Sequence, residues 1–191
     1  MVIWGDKIGL RRFEDHLTPF DMQRLYEWSQ DDELLRWSGG TPAQMGFEEF
    51  EDQVVQEQLY GPHNRRAFFI IRRDTHELIG RLGLFAIDWG KRQAELGIII
   101  GQKEYWGRGY GRDALRTFLH HIFKTSNLER VYLFTFQDNV RAQRAFAASG
   151  FRPVRSVRRT LPDLGEFDGL EMEATRAEFM KELERARNLE S

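Results

Sequence analysis

The sequence predicts an α/β fold in a single domain, with a mixed, mostly antiparallel sheet flanked by helices, and three observations predict it. Strand-length apolar runs such as "AFFII" and "LGIII" gather in the middle of the chain between turn signals. A glycine-rich stretch, "YWGRGYGRDALRTFLHHIF", then enters the strongest amphipathic helix of the chain. Strands on both sides of that helix form a βαβ unit, which requires one parallel pair within the otherwise antiparallel sheet. At 191 residues, 41% hydrophobic and 13% aromatic, the chain has material for one substantial core but hardly for two.

The elements follow in order. "KIGLRRF" alternates as a first strand, with Ile8, Leu10 and Arg12 on one side. "LTPFDMQRLYEW" reads as a helix that Thr18 caps, with Pro19 at its first position, Asp21 near its positive end, and Phe20, Leu25 and Trp28 as its buried stripe. "DDELLRWSGG" is a short helix ended by Gly39 and Gly40, and "TPAQMGFEEFEDQVVQEQLYG" a third helix ended by Gly61. "RRAFFIIRR", "LIGRLGLFAID" and "QAELGIII" form three consecutive strands around turns at "DTHE" and "WGKR". After the glycines, Ala114, Leu115, Phe118, Leu119, Ile122 and Phe123 recur at helical spacing. "RVYLFTF" is a strand, "NVRAQRAFAAS" a short helix closed by Gly150, and "FRPVRSVRR" and "EFDGLEMEAT" two last strands. "RAEFMKELERARNLES" closes the chain as a charged helix.

Composition removes whole classes of function. There is no cysteine, hence no disulfide, thiolate metal site or cysteine nucleophile. A formal net charge of −2 argues against a basic face dedicated to nucleic acid. The N-terminus "MVIWGDKIGLRRFED" has neither the basic nor the apolar region of a secretory signal, and no apolar run is long enough to span a bilayer. The expectation is a cytoplasmic protein with neither membrane nor direct nucleic-acid contact. The histidines His16, His63, His76, His120 and His121 show no metal-like spacing, so no metal is expected.

Gly107, Gly109 and Gly111 raise the main chemical question. Glycine is a poor helix former, so either the backbone turns sharply there or something approaches it closely. A glycine loop entering a helix exposes unpartnered N–H groups at the helix's positive end, which is chemistry for phosphate. The P-loop string G-x-x-x-x-G-K-[ST] is absent. A dinucleotide G-x-G-x-x-G also fails, because Arg112 follows Gly109-Tyr110-Gly111 and the loop lies past the middle of the chain.

Trp106-Gly107-Arg108-Gly109-Tyr110-Gly111 resembles the coenzyme A loop, [QR]-x-x-G-x-[GA], of the GCN5-related N-acetyltransferases, the GNAT family. Trp at the first position is similar to the branch of ribosomal-protein N-terminal and spermidine acetyltransferases. Downstream, Asn139, Ala142, Phe146, Gly150 and Phe151 match a second signature, N-x-x-A-x-x-x-[YF]-x-x-x-G-F. The resemblance covers Ile8 to Thr175 and implies a GNAT domain over 1–175, with 176–191 as its C-terminal helix and tail. It also implies a splayed parallel strand pair at the centre of the sheet.

The resemblance further implies acetyl transfer from acetyl-CoA, the co-substrate, to a primary amine by direct attack. The acceptor is left open among a protein or peptide N-terminus, a polyamine and an aminoglycoside-like amine, with the branch resemblance favouring a ribosomal-protein or peptide N-terminus. Backbone N–H groups of Arg108 to Arg112 would hold the pyrophosphate, with the Arg108 and Arg112 side chains adding charge. Ile98, Ile99 and Ile100 would bind the pantetheine arm, one N–H there polarising the thioester oxygen. Asn139 would bond to the same arm, though an ordinary helix N-cap explains it too. Glu95 is the first candidate for the general base, Asp88 the second. Phe146 stands where many relatives carry a proton-donating tyrosine; it can pack on the pantetheine but leaves the thiolate's proton to water or another group. That substitution is the support for an alternative, a regulatory module that holds acyl-CoA without turning it over. The acidic cluster Asp31, Asp32 and Glu33 either attracts a cationic amine or serves a helix start. Relatives are often dimers, so a homodimer is the assembly the resemblance implies.

Overall fold

The computed structural model describes residues 1–60, 66–161 and 165–189. Eight strands form one sheet: β1 (Ile3–Trp4), β2 (Ile8–Arg12), β3 (Arg66–Arg72), β4 (Leu78–Asp88), β5 (Gln93–Ile100), β6 (Arg130–Phe136), β7 (Arg152–Leu161) and β8 (Gly165–Thr175). Their order is β1-β2-β3-β4-β5-β6-β8-β7. Every neighbouring pair is antiparallel except β5 with β6, the parallel pair that the βαβ reading requires. Six helices flank the sheet: α1 (Pro19–Gln30), α2 (Asp32–Ser38), α3 (Phe47–Tyr60), α4 (Tyr110–Thr125), α5 (Val140–Ala147) and α6 (Arg176–Leu189).

The two faces carry two cores. Alternation along β5 sends Ala94, Leu96, Ile98 and Ile100 to the face covered by α4 and α6, where all six stripe residues of α4 are buried. Ile99 points to the opposite face, among Leu25 and Trp28 of α1 and Phe69 of β3. Thr18 caps α1 through a reciprocal capping box with Asp21, as the sequence indicates. The expected stripe needs one correction. Phe20 is 82% exposed, and Met22 takes its place beside Leu25 and Trp28. With Thr18 as the cap, Phe20 falls in the first turn on the outward side.

Two other details differ from the sequence reading. Helix α3 begins at Phe47 rather than near Thr41, consistent with the helix-breaking Pro42 and Gly46 before it. The expected stop at Gly61 lies outside the described residues, as does His63. The short strand β1 was not foreseen; it pairs Ile3 with Leu10 and Trp4 with Gly9. Behind it, the Asp113 carboxylate of α4 accepts from the backbone N–H groups of Asp6, Lys7 and Ile8 at 3.2, 2.8 and 3.1 Å. Gly5 is packed so closely that a Cβ there would stand 2.4 Å from Thr117 Oγ1. This contact fixes the first turn of α4 against the N-terminal hairpin.

Candidate active site

Pairing between β5 and β6 covers only Gln93, Ala94 and Glu95, opposite Arg130, Val131 and Tyr132. Beyond Glu95 the strands separate, while β5 stays paired with β4 as far as Ile100. The segment holding Ile98, Ile99 and Ile100 therefore turns one backbone edge into a cleft. The Ile100 carbonyl is taken, because Trp106 Nε1 donates to it at 2.7 Å. The cleft opens onto the start of α4. There Gly109 is the N-cap, with φ of 85°, and Gly107 has φ of 73°. Both values lie in the left-handed region that side chains disfavour, so the sharp turn requires glycine at these two positions.

Among the described residues no side chain caps α4. The N–H groups of its first turn are therefore available to an anion at the positive end of a four-turn helix. The surface above them is bare: nothing lies within 4 Å of a Cβ built on Gly107, and only Lys7 Nζ, at 3.7 Å, near one on Gly109. Positive charge surrounds the loop. Arg108 and Arg112 are exposed, Lys7 Nζ donates to the Arg108 carbonyl at 2.9 Å, and Arg141 of α5 stacks over Trp106 at 4.0 Å from the ring centre. A groove of about 690 Å³ beside α4, lined by Lys7, Arg112, Arg116 and His120 among others, meets the loop at Gly109. These features fit a phosphate-bearing ligand at the start of α4.

Tertiary contacts hold the turn before the loop. Arg72 donates to the Tyr105 hydroxyl at 3.0 Å, and Tyr105 donates to Glu77 at 2.9 Å. Lys103 pairs with Asp31 and Glu33, each at 2.8 Å. The acidic cluster is thus largely committed: Asp31 also caps α2 by accepting from Leu34, and its carboxyl is held below the usual range first by the Lys103 hydrogen bond.

The second signature lies across the cleft. Asn139 is buried and caps α5, its Oδ1 accepting from Ala142 N at 3.1 Å. Its Nδ2 has no hydrogen-bond partner among the described residues. Phe146 packs against the α4-side core with its ring 6.0 Å from that of Phe151. Glu95 sits at the apex where β5 and β6 part and accepts from Arg159 Nη1 at 3.1 Å, so it is a paired carboxylate rather than a free strand-edge group. Asp88 ends β4 opposite Gln93, accepting from Lys91 N at 2.9 Å, and its carboxyl pKa is lowered first by that bond. Five positions from the Ile98 end of the register, it lies away from the cleft.

Sequence reasoning missed Arg159, Tyr132 and Arg141. Tyr132 stands opposite Glu95; burial and then the Glu95 charge push its hydroxyl up. No local motif marks Arg159 and Tyr132, which meet Glu95 through strand order, whereas Arg141 lies at an unspecified position of the second signature on α5. His120 and His121 lie on α4, both lowered first by burial and then by nearby cations. Among the described residues no group of three or more His, Cys, Asp or Glu side chains could hold a metal. No described helix is long and apolar enough to cross a membrane.

A sheet with one parted parallel pair, opening onto a bare, positively charged helix start, defines a mixed α/β domain with an anion-binding helix terminus. The model of the acetyltransferase (GNAT) domain matches residues 7–152. An uncharacterised N-acetyltransferase of Bacillus subtilis is 28% identical over 79% of this chain and 82% of its own. The spermidine N(1)-acetyltransferase of Vibrio cholerae is 32% identical over 55% of this chain and 62% of its own. The crystal structure of a spermidine N-acetyltransferase from Vibrio cholerae in complex with CoA and spermine superimposes with a TM-score of 0.75, at 22% identity, over 91% of this chain and 98% of that one. The chain belongs to the GNAT acetyltransferase family. It is an N-acetyltransferase.

Proposed function

We propose that the protein transfers the acetyl group of acetyl-CoA to a primary amine of a small cationic acceptor, by direct attack. The observation that carries this reading is the parting of β5 from β6 immediately after Glu95, which leaves an edge of β5 unpaired by β6 between a carboxylate and the bare helix start. Backbone N–H groups of Gly109 to Arg112 bind the pyrophosphate, that of Arg108 being turned to the Tyr105 carbonyl at 3.4 Å; the free edge at Ile98–Ile100 takes the pantetheine arm, and Asn139 Nδ2 donates to it. The family relatives that act on spermidine and on aminoglycosides support a polycationic acceptor.

An alkylamine has a pKa of about 10 and is nearly all protonated at neutral pH. Glu95 takes that proton, directly or through a water, and the freed nitrogen attacks the thioester carbon. The carbon–sulfur bond breaks, the nitrogen sheds its second proton to solvent as the amide forms, and the thiolate takes a proton from solvent, since Phe146 has none to give. A backbone N–H of the Ile98–Ile100 edge stabilises the oxyanion, a contribution of about 10²-fold or more.

The test is thiol release from acetyl-CoA over a panel of polyamines, aminoglycosides and peptides, with calorimetric acetyl-CoA binding alongside. Turnover on a polycationic amine is expected. Acetyl-CoA binding without turnover on any acceptor would refute the catalytic assignment, and absence of binding would refute the assignment of the glycine loop.

A further inference from the structure

The arginines of β7 are not equivalent. Arg152 pairs with Glu173 at 2.6 Å, Arg155 with Glu171 at 2.8 Å and Arg158 with Asp168 at 3.3 Å, each on the neighbouring strand β8. Arg159 has no such partner among the described residues. Its side chain instead crosses the face of the sheet to Glu95 on β5, two strands further in, at 3.1 Å. On the way its guanidinium lies 3.9 Å from the centre of the Phe134 ring. More rings continue from there: Tyr132 stands 5.7 Å from Phe134, and Phe136 stands 4.6 Å from Phe167 and 6.3 Å from Trp37 of α2. A carboxylate beside aromatic faces is a seat for an organic cation.

The other carboxylates on this face are firmly held. Glu171 and Glu173 both accept from Arg130 at 2.6 Å in addition to their β7 partners. Glu95 has one ion-pair contact, to an arginine whose side chain is 35% exposed, and such a pair is weak and exchangeable.

We propose that Arg159 occupies a cation seat formed by Glu95 and Phe134, and that a cationic acceptor enters by displacing it. Arg159 is then an internal competitor that sets acceptor specificity: an amine must bring enough charge to replace a stacked guanidinium, which favours polycations over singly charged or neutral amines. Displacement also frees the carboxylate oxygen that accepts the amine's proton. This inference rests on the proposed amine acetyl transfer, and its test separates the two.

The probe is spermidine, titrated calorimetrically into the full chain without acetyl-CoA, for the parent, Arg159→Ala, Arg159→Lys and the double variant Arg159→Ala with Glu95→Gln. Removing the competitor is expected to tighten spermidine binding about tenfold. Arg159→Lys, which keeps a competing cation, is expected to stay within about threefold of the parent, and the double variant to lose the gain. Acetyl-CoA affinity, unchanged throughout, reports an intact fold. Equal or weaker binding by Arg159→Ala overturns the proposal, as do an equal gain in Arg159→Lys, a gain that survives loss of Glu95, or no detectable binding in any form. Turnover measured on the same samples tells the readings apart. Turnover without the affinity shift refutes the cation seat alone, and the shift without turnover refutes the catalytic reading alone.

Discussion

Replacing Gly109 and Gly111 singly by alanine should move stability in opposite directions. Gly109 is the N-cap of α4 at φ 85°, and the nearest atom to an added Cβ is Lys7 Nζ at 3.7 Å. There is no clash, so the cost is that of holding an L-residue in the left-handed region, about 1–2 kcal/mol. For a chain of this size that lowers the melting temperature by about 2–8 °C. Gly111 lies within the helix without a positive φ, and its added Cβ would touch Ile100 Cγ1 at an ordinary 3.6 Å. Alanine there removes glycine's helix penalty and should stabilise by about 0.5–1 kcal/mol, raising the melting temperature by about 1–4 °C. Acetyl-CoA binding should separate the two as well. Gly109→Ala re-aims the N–H groups of the loop and is expected to weaken binding at least about tenfold, whereas Gly111→Ala should stay within about threefold. Thermal melts and calorimetry on both variants provide the check. A Gly109→Ala protein as stable as its parent, or a Gly111→Ala protein less stable, would refute the assignment of backbone conformation as the reason for these glycines.

Further expectations concern charge. Glu95→Gln should lower kcat/KM at least about 10²-fold while leaving acetyl-CoA affinity intact; a variant retaining full turnover would remove Glu95 as the base. Asp113→Ala removes the acceptor of three backbone N–H groups of the N-terminal hairpin and should cost about 2 kcal/mol in chemical denaturation. Arg130→Ala strips a shared partner from the buried carboxylates Glu171 and Glu173 and should cost about 2–4 kcal/mol, below the figure for a fully buried pair because Arg130 is partly exposed. Burial alone would raise Glu171, but Arg155 and Arg130 hold it below the ordinary carboxylate value. A depressed folded pKa means stability that is present above about pH 4.5 and lost as pH falls through the folded value. Melting temperature should therefore drop on acidification below that point, and less steeply in Glu171→Gln; identical acid profiles would show that Glu171 does not contribute.

Much of this site is written in short stretches of sequence. The caps at Thr18 and Asn139, the stripe from Ala114 to Phe123, the turns at Gly107 and Gly109 and the C-terminal glycine at Gly150 depend on contacts within about one helical turn, so residue order alone specifies them. Glu95 was legible as a carboxylate on the strand leading to the loop, though not as the residue at which pairing stops. Only the tertiary structure decided the rest. Phe20 turned outward because the core against β3 takes Met22, Leu25 and Trp28 from its helix. Asp31 and Glu33 are held by Lys103, about 70 positions away, and Asp113 grips a hairpin about 106 positions distant. Arg159 faces Glu95 because β8 inserts between β6 and β7 and brings the far strand's arginine back over the sheet. Such meetings depend on the path of the chain through space, and the physical rules that read a sequence locally do not extend over that distance.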